Sequence, residues 1–232
     1  MNLPEATVSR RPRVALIATG DELVLPGEEP GPDQIVSSNN FGLAAMLETI
    51  GAEPLLCPIA RDSRESLLDV LDTARGADFI VTLGGASVGE HDLVASVFGE
   101  AGLSLDFWKI RMRPGKPLMV GRLGASVMLG LPGNPVSAMV CGEIFLRPAV
   151  EAAMGLAPRP RATAAARLAR PLGRNGPREH YMRAVVEDGI ATVFGNQDSS
   201  LLATLSSANA LVVRPPDAPE LPESAEIRYI PL

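Results

Sequence analysis

Short apolar runs alternate with longer amphipathic stretches over the first two thirds of the chain, a pattern that predicts helices packed on a mainly parallel sheet. Residues 14–18 (VALIA) read as a buried strand that runs into turn chemistry, TGDELVLPGEEPGPD. A helix follows, capped by Asn39 or Asn40, with Leu43, Ala44, Met46, Leu47 and Ile50 on its apolar face and Gly51 as its stop. A strand is expected at 54–57. Asp62 and Glu65 then have capping-box spacing ahead of Leu67, Leu68, Val70 and Leu71, which predicts a second helix reaching about Ala74. The unbroken apolar run FIVTL at 79–83 is a fully buried strand. A helix over 93–101 and strands near 105–110, 118–120 and 127–131 come next, and a last helix starts with Asn134 as N-cap and Pro135 at its first position. It should end near Met154 and Gly155.

The texture changes at residues 156–161 (LAPRPR). Beyond it, short alternating runs at 181–186, 190–194, 211–213 and 227–230 are separated by Gly, Asn and Pro clusters, the signature of a small β-barrel or sandwich. The expected organisation is a tail at 1–12, an α/β domain at 13–155 and a small β domain at 162–232.

Composition agrees with this and narrows the partners. With 232 residues, 46% of them apolar, the chain can bury a core in one large or two small domains, and 22 Gly with 21 Pro speak against a long helical bundle. A net charge of −6 excludes a general nucleic-acid or anionic-membrane binder. No secretory signal opens the sequence, and the longest helical apolar stretch, 136–154, is interrupted by Glu143, Arg147 and Pro148. Cys57 and Cys141 lack any metal-ligand spacing and read as buried free thiols of a reducing compartment, so the expected location is cytoplasmic.

Ligands of open α/β sheets gather at the carboxyl ends of the strands, which singles out three loops. They are Thr19-Gly20-Asp21-Glu22, GGASVGEHD at 84–92 and GLPGNPVS at 130–137. The second offers unobstructed backbone N–H groups and a following helix start, suited to an oxyanion such as phosphate. It is no Walker loop, since Glu90 and His91 follow Gly89. It also satisfies GxSxG around Ser87, the nucleophile elbow of serine hydrolases, for which the chain has only His91 and His180 as bases. Asp21, Glu22, Asp62, Glu90 and Asp92 on the same rim suit Mg²⁺ beside a phosphate; helix capping is the plainer role for Asp62 and Asp92. Finally, only two of the 21 basic residues are lysines, and both, Lys109 and Lys116, fall in KIRMRPGKP. A cationic cluster beside glycine turns fits an anionic ligand, and a solvated surface run is its plainer reading.

Taken together, TGDEL, SNN at 38–40, GGASVGEHD, RPGKP at 113–117 and GLPGNPVS resemble, in order and spacing, the molybdopterin molybdenumtransferases, the MoeA family that includes the gephyrin E domain. The resemblance implies a three-layer α/β/α molybdopterin-binding fold with a mainly parallel sheet, followed by a small C-terminal β-barrel. It implies insertion of molybdate into adenylylated molybdopterin with Mg²⁺-dependent loss of AMP. Carried onto this chain, Glu22, Asp62, Asp92 and Lys109 take catalytic positions, with Glu22 and Asp92 at the metal. Pterin-phosphate and oxyanion positions fall on Thr19, Gly20, Asp21, Asn39, Gly84, Gly85, Ser87, Gly89, Arg113, Lys116, Pro117, Gly133, Asn134 and Ser137. The barrel would add Arg183 and Ser199 or Ser200. Other proteins of molybdenum-cofactor biosynthesis and a second copy of the chain are the macromolecular partners implied.

Three departures stand out. Arg113 replaces a lysine common in relatives, Ser37 stands where relatives often have Asp, and only 18 residues precede Thr19 where relatives carry two further domains. The chain is then expected to be a fragment or a naturally short form. The competing expectations are a module that binds molybdopterin without turnover, an adenylyltransferase of the MogA or MoaB kind, and, most remotely, the serine hydrolase.

Overall fold

A computed structural model describes residues 3–85 and 93–232. In chain order the elements of the first domain are β1 (Arg13–Ala18), β2 (Leu23–Val24), β3 (Ile35–Val36), α1 (Asn39–Thr49), β4 (Glu53–Leu56), α2 (Arg64–Thr73), β5 (Phe79–Leu83), α3 (Leu93–Glu100), β6 (Leu103–Trp108), β7 (Met112–Arg113), β8 (Met119–Leu123), β9 (Ser126–Leu131), α4 (Pro135–Cys141) and α5 (Arg147–Ala153). The second holds β10 (Ala164–Leu168), β11 (Glu179–Glu187), β12 (Ile190–Val193), α6 (Leu202–Ser206), β13 (Ala210–Arg214) and β14 (Glu226–Pro231).

The first sheet has the order β4-β1-β5-β9-β8-β6; the first four strands are parallel, while β8 and β6 run antiparallel at one side. Strand period 2 sends alternate residues to opposite faces and so creates two cores. Leu16, Val81 and Leu129 pack with Leu43 and Leu47 of α1 and Val136 and Val140 of α4, whereas Ala15, Ile17, Ile80 and Met128 pack with α2 and α3. The result is the expected α/β/α layering.

Local detail differs from the sequence reading where neighbouring residues compete. Ser38, not Asn39 or Asn40, is the N-cap of α1. Ser63, not Asp62, caps α2, its hydroxyl accepting from the Ser66 N–H, so the Asp62/Glu65 box does not form. The strand expected at 105–110 begins two residues earlier, at Leu103, and ends at Trp108. Asn134 is the N-cap of α4 with Pro135 behind it, yet its side chain makes no capping bond. The single last helix is broken by a π-helical turn, Gly142–Leu146. There α1 crosses closely: a Cβ on Gly142 would lie 2.4 Å from Leu43 Cδ2.

Five strands of the second domain close into a barrel, β12-β10-β14-β13-β11, with β11 pairing back to β12. Its interior is filled by Ala166, Leu168, Ala184, Ala191, Ala210, Val212 and Ile227, and the four alanines allow tight closure of a small barrel. Two features weld the domains together. Strand β7, which follows the first sheet's β6, pairs with β11 through Met112↔Glu179 and Arg113↔His180. Tyr181, Leu211 and Ile230 of the barrel join the α1/α4 core with Met112 and Cys141. Among the described residues no helix is long and apolar enough to cross a membrane.

Phe98 is fully buried between α3 and the sheet. Replacing it by Ala should cost about 3–5 kcal/mol of unfolding free energy, and Ser63→Ala about 1 kcal/mol through the lost cap. Urea denaturation of both variants measures this, and equal losses would contradict the assignment of Ser63 to a cap and Phe98 to a core.

Candidate functional site

Where β1, β5 and β9 end, their loops are stitched side by side. The Thr19 N–H donates to the Leu83 carbonyl at 3.0 Å, Gly20 to Ala60 at 3.0 Å and Gly84 to Leu131 at 3.2 Å. Asn39 Nδ2 donates to the Gly133 carbonyl at 2.7 Å and ties α1 to the third loop. Gly84 and Gly85 have φ of +101° and +66°. A Cβ would lie 2.7 Å from the Thr19 carbonyl oxygen at the first and 2.4 Å from Val94 Cγ2 at the second, so only glycine fits.

These loops surround a cavity of about 560 Å³ lined by Thr19, Gly20, Glu22, Ser37, Asn39, Asp62, Gly84, Gly85, Pro117, Gly133 and Asn134, with Leu23, Ile35 and Val36 as an apolar wall. Asn134 Oδ1 is buried without a partner among the described residues. Ser37 is buried and its hydroxyl donates to Asn40 Oδ1 at 3.2 Å, so at this position the chain holds a neutral hydrogen bond in place of an acid. Asp21 does not line the cavity; its Oδ1 accepts from the Asp62 N–H at 3.1 Å. Ser87, Gly89 and Asp92 lie outside the described residues.

A second cavity, of about 580 Å³, shares Pro117 with the first. Arg113, Lys116 and Ser137 line it from the α/β domain; Arg178, Asn196, Gln197, Asp198 and Ser199 line it from the barrel. Arg178, Asn196, Gln197 and Asp198 were not expected from the sequence. Arg183 is 2% exposed and stands behind this wall. Its guanidinium donates to Gln197 Oε1 at 3.2 Å and to the Asp198 carbonyl at 2.8 Å, which holds the loop in place. The Ser199 carbonyl accepts from the Val136 N–H at 3.2 Å, so the barrel also satisfies the start of α4. The N–H and hydroxyl of Ser200 both donate to Asp198 Oδ1 at 2.9 Å. Lys109 lines neither cavity; its ammonium sits 3.9 Å over the Trp108 ring.

Basic side chains outnumber acidic ones in this second cavity, with Arg113, Lys116 and Arg178 set against Asp198. His180, on β11 opposite Arg113, has its pKa pushed down to about 4, first by burial and then by Arg113, Arg183, Arg178 and Arg214. It is a neutral imidazole set among cations at neutral pH. Asp198 is held below the usual carboxylate range by the Ser200 N–H and hydroxyl and, to a lesser degree, by Arg183. No group of three or more His, Cys, Asp or Glu side chains among the described residues could hold a metal by itself.

The sequence matches the family of the probable molybdopterin binding domain over residues 15–152 and that of the MoeA C-terminal region, domain IV, over residues 165–232. The chain belongs to the MoeA family. It is 36% identical over 240 residues to molybdopterin molybdenumtransferase 2 of Mycobacterium tuberculosis, a match covering 98% of this chain and 58% of that protein. The molybdopterin molybdenumtransferase of Nostoc sp. is also 36% identical, over 91% of this chain and 51% of the relative. The crystal structure of the molybdopterin biosynthesis MoeA protein from Pyrococcus horikoshii superposes with a TM-score of 0.83 at 29% identity, covering 96% of this chain and 55% of that one. This MoeA-family chain thus spans 51–58% of the length of these two curated relatives, and the matched part holds both cavities.

The buried His180 carries a pH signature. Its folded pKa lies below its ordinary value, so the unfolded chain binds more protons between about pH 6.5 and about pH 4, and its contribution to stability is lost as pH falls through that window. Unfolding by urea at a series of pH values should show a steeper decline for the wild type than for His180→Gln. Parallel profiles would rule out the cationic burial of this residue.

Proposed function

We propose that the chain is the ligand-binding half of a molybdopterin molybdenumtransferase, inserting molybdate into adenylylated molybdopterin with release of AMP. The observation that carries this reading is the sharing of Pro117 by two unlike cavities, one a glycine cradle with acids on its rim and the other cationic. The first suits a phosphate of the pterin nucleotide, since the Cβ-free backbone at Gly85 and Gly133 lets N–H groups approach an oxyanion. The second suits molybdate, a dianion. Arg113, Lys116 and Arg178 supply charge, the first and last as planar forks, and Ser137 and Ser199 supply hydroxyls.

Mg²⁺ belongs to the same proposal. Among the described residues, Glu22 and Asp62 line the first cavity and neither carboxylate is engaged in an ion pair. Such hard oxygen donors fit an ion that takes one or two carboxylates and completes its shell with phosphate oxygens and water; Asp92 is the further ligand implied by resemblance. Bound there, Mg²⁺ supplies neutralisation of the phosphate that leaves with AMP. A cytoplasmic location and pairing with a second copy are part of this reading as well. The same two cavities also allow one alternative, a module that holds the pterin nucleotide without turning it over. Family membership displaces the serine hydrolase.

Calorimetry with adenylylated molybdopterin, followed by an AMP-release assay with molybdate and Mg²⁺, tests the proposal. Glu22→Ala and Asp92→Ala should each abolish AMP release while nucleotide binding changes by less than about threefold, because a metal carboxylate acts on the leaving group more than on the bound ground state. Full turnover by either variant refutes the role given to that acid. Tight binding by the wild type without AMP release selects the binding module, and absence of binding defeats both.

A further inference from the structure

Arg61 precedes α2 and lines neither cavity. One nitrogen of its guanidinium, Nη1, donates to three carbonyl oxygens of the loop after β1: Gly20 at 3.3 Å, Asp21 at 3.2 Å and Leu23 at 2.9 Å. Three carbonyl dipoles that converge on one point repel one another, and a cation at that point turns the repulsion into attraction. Arg61 forms no ion pair with a carboxylate among the described residues, so its charge is spent on these carbonyls.

The surrounding backbone keeps the clamp in register. Gly20 N–H donates to Ala60 at 3.0 Å, Asp62 N–H to Asp21 Oδ1 at 3.1 Å, and Arg61's own N–H to Ser66 Oγ at 2.9 Å, which ties it to the first turn of α2. The clamped carbonyls of Asp21 and Leu23 bracket Glu22. Its own carbonyl accepts from Ile35 N–H at 2.8 Å. Its carboxylate lies back over Gly20, where a Cβ would come within 2.2 Å of Oε2. The backbone on both sides of Glu22 is thereby fixed, while its side chain stays exposed at the cavity.

We propose that Arg61 is the positioning residue of the first cavity: by gathering the carbonyls of Gly20, Asp21 and Leu23 onto its guanidinium, it holds the Glu22 carboxylate where a divalent cation binds. The inference rests on the reading of Glu22 as a cation ligand and adds the residue that fixes it. All three bonds come from one nitrogen, so a lysine ammonium would keep the charge and the donors, but on a shorter side chain it would restore the clamp only in part.

The full 232-residue chain, titrated with Mn²⁺ as a spectroscopic stand-in for Mg²⁺, provides the test. Arg61 is exposed, so Arg61→Ala opens no core and should melt within about 2 °C of the wild type. It should bind Mn²⁺ about tenfold more weakly and exchange the Gly20 and Leu23 amide hydrogens about tenfold faster, with Arg61→Lys recovering part of both. Glu22→Gln should lose Mn²⁺ binding while keeping wild-type exchange rates. Wild-type exchange in Arg61→Ala overturns the clamp, and wild-type Mn²⁺ affinity in Arg61→Ala overturns its link to Glu22. Unchanged Mn²⁺ binding by Glu22→Gln instead defeats the metal reading on which the inference stands.

Discussion

The backbone of Gly84 lies where three parallel strands end together, and no side chain fits there. Register brings Ala18 of β1, Leu83 of β5 and Leu131 of β9 level with one another. The residues just beyond each strand then meet at backbone contact: a Cβ on Gly84 would lie 2.7 Å from the Thr19 carbonyl oxygen, and one on Gly133 would lie 3.3 Å from Gly84 Cα. Any larger residue at Gly84 would separate the first loop from the second and the second from the third. The same crowding leaves Gly85 and Gly133 to face the cavity with backbone instead of side chains, while the Gly20 and Gly84 N–H groups are spent on the Ala60 and Leu131 carbonyls. Glu22, Asn39 and Asn134 reach the cavity only because the strands that carry their loops have converged.

The barrel completes the site by a different kind of constraint. Strand β7 leaves the α/β domain to pair with β11, and the core under α1 and α4 continues into Tyr181, Leu211 and Ile230. The segment carrying Arg113 and Lys116 is therefore held against the barrel wall that carries Arg178 and the 195–199 loop. Arg183 and Arg214 are buried behind or beside that wall, and their hydrogen bonds go mainly to neutral carbonyls: Asp198 for the first, Gly173 and Pro219 for the second. Positive charge satisfied by dipoles is not cancelled as it would be by carboxylates. A chain with net charge −6 can thus present a cationic cavity, and the depressed His180 pKa registers that local field.

Much of this was legible in the sequence where one physical signal dominates. FIVTL and VALIA are buried on both faces and become β5 and β1 as their unbroken apolar character requires. The glycine and proline loops fall at strand ends because nothing else in those stretches can continue a strand. Legibility failed where two signals compete within a residue or two. Ser63 with Ser66 displaces Asp62 with Glu65 as the α2 cap, and Ser38 displaces the asparagines of α1. It also failed where the deciding contact is distant. The π turn at Gly142 answers to α1, and the role of Arg178 depends on the β7–β11 pairing. Lys109 and Lys116 look alike in KIRMRPGKP, yet the first follows an edge strand with its ammonium over Trp108 and the second lines a cavity.

The placement of charge about Pro117 constrains how a ligand can lie. Glu22 and Asp62 stand in one cavity, while the other holds Arg113, Lys116 and Arg178 against a single acid, Asp198, whose carboxylate accepts from the Ser200 N–H and hydroxyl. Pooled in one cavity, these groups would largely cancel; divided unequally, they give the site a direction. An unaccompanied oxyanion is repelled by the acid side and drawn to the cationic side. A phosphate enters the acid side only with a cation to bridge it to the carboxylates, or by placing its oxygens on the glycine N–H groups away from them. On the proposed reading this sorts two anions that a uniformly basic pocket would confuse: free molybdate goes to the arginines, and the cation-linked nucleotide phosphate goes to the cradle. On that reading the two anions meet beside Pro117, which lines both cavities, and their alignment depends on how β7 and the Gly84 junction hold those cavities side by side.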